Sequence, residues 1–168
     1  MQRRRLLALG IVSSLVLAVG GSAVALLQPG LRDGRLVLQA RGILRAVASA
    51  LLEGALPGDA PSRDRSLGQL LDRIDAVVAA LPGHTQGELS QLLALLGSAA
   101  GRRAVMGLEP AWESATVPDV QAALQVMRHS RLALRRQVYQ ALHEIVNGAY
   151  FADAHTWPLL GYPGPREV

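Results

Sequence analysis

Apolar residues recur along this chain at the three-, four- and seven-residue spacings of helices buried on one face, with no convincing strand-like alternation. From Leu36 to about Ala55, the residues Ala40, Ile43, Leu44, Val47, Leu51 and Leu52 share a face, and Gly54 with Leu56-Pro57-Gly58 closes the run. A polar loop is predicted over Asp59–Arg65, with Pro61 and a candidate cap at Ser62. A second helix is expected from about Ser66 to Leu81, with Leu67, Leu70, Leu71, Ile74, Val77, Val78 and Leu81 inward. Pro82-Gly83 stops it, and Thr85 with Glu88 has the spacing of a capping box for a third helix. That helix buries Leu89, Leu92, Leu93 and Leu96, weakens at Gly97 and Gly101, and gives way to a turn at Gly107–Pro110. Thr116 with Asp119 has a second capping-box spacing, and Pro118 fits the first turn. Val120, Leu124 and Met127 start a stripe that Leu132, Leu134, Val138, Leu142, Ile145 and Ala149 continue. Ser130 leaves open whether this is one long helix or two. The expectation is an all-α domain of four to six helices.

The two ends depart from this pattern. Leu6–Leu27 contains no charged residue and has the length of a bilayer span, about 20 residues. It follows Arg3-Arg4-Arg5, and with Leu6-Leu7 these arginines have the layout of a twin-arginine export signal. Ala23 and Ala25 offer the small residues a signal peptidase needs, so cleavage after Ala25 and retention as an anchor are both open. Either way the body is expected outside the cytoplasm, in the periplasm at the outer face of the inner membrane. The organisation expected is therefore a signal or anchor at 1–27, a helical domain at 28–152, and an extended tail at 153–168.

Composition narrows the chemistry. The chain has 168 residues and a formal charge of +4, but three of its 17 basic residues lie in the signal. The remaining 14 face 13 acids, so the body is nearly neutral. Every fixed basic side chain is arginine. Arg102-Arg103 and Arg128, Arg131, Arg135 and Arg136 form the only candidate basic stripe, and solvated faces or partner contacts explain them better than nucleic acid. Cysteine is absent, which removes disulfides, c-type haem attachment and cysteine-ligated iron–sulfur clusters from this chain. No two of the four histidines have the i+3 or i+4 spacing by which one helix face chelates a metal. No nucleophile elbow, phosphate-binding glycine loop or H-E-x-x-H motif occurs. Asp72 and Asp75 are expected on a solvated helix face. No catalytic, cofactor-binding or metal-binding residue is assigned to this chain.

Aromatic residues concentrate late in the chain. Trp157 and Tyr162 stand among prolines and glycines that cannot continue the preceding helix, either as rigid anchors for a partner or as a closure over the chain's own core. Tyr150-Phe151-Ala152-Asp153, then Trp157, then Leu160-Gly161-Tyr162-Pro163-Gly164-Pro165 resembles the C-terminal signature of one family of small subunits. These accompany the membrane-associated, FAD-dependent sugar and polyol dehydrogenases of the glucose, sorbitol, fructose and gluconate group. The likeness extends to Trp112, the helices from Gln121 to Ala149 and the twin-arginine start. It departs in the third arginine and in Gln2, where the family has serine or threonine.

The resemblance implies a non-catalytic subunit that helps mature a flavoprotein and carries it, folded, through the twin-arginine machinery. The implied partner is a glucose–methanol–choline class subunit that holds FAD. In several family members it also holds an iron–sulfur cluster and passes electrons to a multihaem cytochrome c. The residues this assigns to partner binding are Trp112, Tyr150, Phe151, Trp157, Gly161, Tyr162, Pro163, Gly164 and Pro165. The alternatives are a membrane-anchored periplasmic protein with a different partner, and an exported enzyme.

Overall fold

The structure, a computed structural model, describes residues 28–161, without the side chains of 158–160. Arg3, Arg4, Arg5, Leu6, Leu7, Ala23 and Ala25, and at the other end Tyr162, Pro163, Gly164 and Pro165, lie outside the described residues. The domain is mainly α-helical, as its periodicity predicts, and begins with a short hairpin. Strands β1 (Leu31–Arg32) and β2 (Arg35–Leu36) pair antiparallel, Leu31 opposite Leu36. Asp33 and Gly34 join them with φ of 52° and 73°, the positive values that a type I′ turn needs. The Asp-Gly pair was the signal for this hairpin, which the helical pattern hides.

Helix α1 (Leu38–Leu51) packs against all four other long helices: α2 (Ala60–Ala79), α3 (Gly83–Gly97), α5 (Val117–Arg128) and α6 (Ala133–Phe151). Its position explains its burial. Ile43, Leu44 and Val47 are fully buried, each of them stabilising the fold by about 1.5–3 kcal/mol. Between α3 and α5 lies a short turn, α4 (Ala99–Gly101), which passes into a π-helical turn at Arg102–Met106. A Cβ on Gly101 would lie 2.1 Å from the Leu95 carbonyl oxygen, so only glycine lets this turn close against α3.

Several boundaries differ from expectation for local reasons. Helix α2 starts at Ala60 rather than Ser66, because the Asp59 carboxylate accepts the Ser62 amide at 2.8 Å and Pro61 fits the first turn. Asp59 is therefore the cap, and Ser62 lies inside the helix. The Thr85–Glu88 capping box does not form: Pro82 takes the N-cap position, α3 begins at Gly83, and Thr85 is buried. The Thr116–Asp119 box does form, with the Thr116 amide and hydroxyl both donating to the Asp119 carboxylate. Helices α5 and α6 are separate, broken at 129–132.

Asp75 is not simply solvated. Its carboxylate accepts the Leu36 amide at 2.7 Å and pairs with Arg41, which also reaches Asp72 at 2.8 Å. This cluster ties the hairpin and α1 to α2. The Gly30 amide donates to the Ser90 carbonyl at 3.2 Å, and the Leu31 amide donates to the Ser90 hydroxyl at 3.1 Å, which ties the hairpin to α3. Among the described residues no helix is long and apolar enough to cross a membrane.

Candidate partner-docking surface at the C-terminal end

Helix α6 brings its apolar stripe to an end at Ala149-Tyr150-Phe151, and the chain then turns back on itself. A 3-10 turn at Ala154–Leu160 replaces the extended chain expected at the start of the tail. Its closure is local: the Thr156 hydroxyl donates to the carbonyls of Asp153 at 2.7 Å and Tyr150 at 3.3 Å. The Trp157 indole N–H donates to the Phe151 carbonyl at 3.0 Å. A carbonyl at a helix terminus has no intrahelical partner, so these bonds satisfy the end of α6.

A staple from α2 fixes the turn to the body. The Arg73 guanidinium donates to the Ala149 carbonyl and to the Asp153 carboxylate, each at 3.0 Å. The other Asp153 oxygen accepts the His155 amide at 3.0 Å and meets the His155 ring nitrogen at 3.0 Å. Hydrogen bonds from the His155 amide and ring, with a smaller contribution from Arg73, hold the Asp153 carboxyl below the usual carboxylate range. No sequence signal exposes Arg73, because its contact spans 80 residues.

The predicted aromatic anchors divide by depth. Tyr150 is buried, its phenol raised above the usual range by burial, and its hydroxyl donates to the Ala55 carbonyl at 2.8 Å. Phe151 is half-buried and meets the Tyr150 ring edge-on at 5.1 Å between centroids. Trp157 is half-buried, and Gly161 is exposed with φ at 65°. Trp112 lies far along the chain in the core, 8% exposed, with its indole N–H donating to the Leu96 carbonyl at 2.8 Å. Tyr150, Phe151 and Trp157 are thus brought together, and Trp112 belongs to another region.

Beside this end runs an apolar cleft of about 310 Å³ between α2, α3 and α6. Val77, Leu81, Leu89, Leu92, Ile145 and Ala149 give it an apolar lining, with Thr85, Glu88 and Glu144 also contributing. Val77 was expected in the core with Leu81. Val77 is instead 47% exposed and Leu81 half-buried, because here the α2 stripe borders the cleft.

Much of the candidate basic stripe is used internally. Arg102 is buried and donates to the carbonyls of Leu108 and Glu109, and Arg103 pairs with Glu109 at 3.0 Å. Arg135 donates to the Ala104 carbonyl, and Arg136 to those of Ser130 and Arg131. Among the described residues, no group of three or more histidine, aspartate or glutamate side chains is placed to hold a metal ion. No family model, curated protein or solved structure matches the chain.

Proposed function

We propose that this protein is a non-catalytic small subunit that binds, helps mature and co-exports an FAD-dependent sugar or polyol dehydrogenase subunit. The observation that carries the reading is the C-terminal signature from Tyr150 to Pro165, supported by the stapled turn on which its first half stands. Phe151, Trp157 and Gly161, with Tyr162, Pro163, Gly164 and Pro165 beyond them, are the direct contacts. Tyr150 supports them from beneath, and Trp112 acts through the core. A turn already held by its own hydrogen bonds loses little further entropy on docking. The adjoining apolar cleft adds surface of the kind that partners cover.

In this reading FAD belongs to the glucose–methanol–choline class partner, and in some complexes that partner also holds an iron–sulfur cluster and passes electrons to a multihaem cytochrome c. The twin-arginine machinery receives the pair through this chain's leader, and the complex works in the periplasm at the outer face of the inner membrane. A stable pair buries at least ~1,000 Å², and truncating one aromatic anchor costs about 2 kcal/mol of binding or more.

The test is a tagged pull-down with a visible spectrum of the eluate. Copurification with a yellow, flavin-bearing chain is expected. Deletion of residues 157–168 should abolish it and leave the flavoprotein cytoplasmic or inactive. A purified chain that oxidises a sugar alone would replace this reading with an exported enzyme. Capture of a flavin-free partner would replace it with a different interaction protein.

A further inference from the structure

A second groove runs along one face of α1. It has a volume of about 750 Å³ and is lined by Leu38, Gly42, Ala46 and Ser49 of α1, with Trp112, Ala115 and Val117 opposite. Leu38 is 88% exposed at one end, the most exposed large apolar side chain among the described residues. Gln28, where the described chain begins, also lines the groove. We propose that the groove is the seat of the chain's own uncharged segment, Leu6–Leu27, which docks against α1 before it enters a membrane. This inference rests on the leader reading given above and not on the identity of the partner.

Four observations carry it. The segment joins the body at Gln28, so it starts from the groove itself. Tethering of this kind gives an effective concentration on the order of mM, which a second copy or a separate partner must match. Glu113 and Gln28 also line the groove and are exposed, and the other three polar side chains of its lining already have partners within the domain. Gln39 donates to the Gly97 carbonyl, the Ser49 hydroxyl donates to the Arg45 carbonyl, and Arg45 pairs with Asp64.

The floor is low, because Gly42, Ala46 and Ser49 follow one another at spacings of four and three on one helix face. A Cβ added at Gly42 meets nothing within 4 Å, so the space above it is open. Finally, the lengths agree. From Leu38 to Ser49 the groove runs about 16 Å at 1.5 Å per helical residue, and Leu6–Leu27 is long enough to cover it in any conformation. Docking there keeps a membrane-seeking stretch out of water while the domain is still in the cytoplasm.

The absence of cysteine from the chain makes the test clean. In the purified full-length protein, Ala46→Cys is combined in turn with single cysteines at positions 12–26 and treated with a short thiol crosslinker. The expected result is crosslinking within one chain, at least five-fold above a control pair with its cysteine on the far side of α2. Gly42→Glu should cut the yield about ten-fold by setting a charge on the floor, while Gly42→Ala should preserve it. A thermal midpoint no lower than the parent's in both variants, as expected when glycine leaves a helix interior, shows that the domain itself is intact. Uniformly low yields, bonds formed only between two chains, or yields indifferent to Gly42→Glu would each overturn the proposal.

Discussion

At the scale of single residues, charge does structural work here. Asp153 receives two bonds from His155 and one from Arg73, and its carboxyl is held below the usual range. A depressed value in the folded state fixes the sign of the pH dependence. The carboxylate's contribution is complete above the ordinary aspartate pKa of about 3.9 and is lost as pH falls through the lower, folded value. Asp153→Asn should therefore flatten the acid limb of the thermal midpoint against pH while changing neutral stability by about 1 kcal/mol or less. Amide exchange at 154–157 should quicken in the same variant. An acid limb identical to that of the parent would remove Asp153 from the account. The arginines show why composition alone cannot place charge. Arg102 and Arg135 end on carbonyls of the 104–109 region, and only the folded path of the chain brings those acceptors near.

At the scale of elements, periodicity located the long helical stretches but neither set their ends nor decided that the last stretch is two helices. Ends are decided by side chains competing for the same few amides. Two pairs with capping-box spacing behave differently because α3 already starts at Gly83, which leaves Thr85 buried inside its first turn instead of at its cap. Thr116 stands at the cap of α5. Thr116→Ala should cost about 1 kcal/mol in denaturant midpoint analysis, whereas Thr85→Ser should leave the start of α3 where it is. A negligible effect of Thr116→Ala would mean that Asp119 alone holds the start of α5. The tail illustrates the same competition: its prolines and glycines point to extended chain, yet Thr156 and Trp157 capture carbonyls at the end of α6. The candidate docking surface was legible in its aromatic residues and illegible in its depth. Exposure of Val77 and burial of Tyr150 follow from how α2, α3 and α6 are spaced, which no single helix records.

At the scale of the whole molecule, the domain has a central helix, a stapled C-terminal end and a short hairpin at the entrance. The hairpin has a mechanical meaning. Load applied to residues before Gln28 reaches the body through the bonds from Gly30 and Leu31 to Ser90 and the bond from Leu36 to Asp75, the latter backed by Arg41. These anchor points lie on different helices, so tension is shared between α2 and α3 instead of peeling α1 away one turn at a time. Asp75→Ala should lower the rupture force when the chain is pulled from its N-terminal side in an optical trap. Pulling between α5 and α6 should register little change. Equal losses along both directions would point to general weakening rather than a broken load path. A pull on the chain ahead of Gln28 is therefore taken up by the frame of the domain, which can follow it without being unravelled.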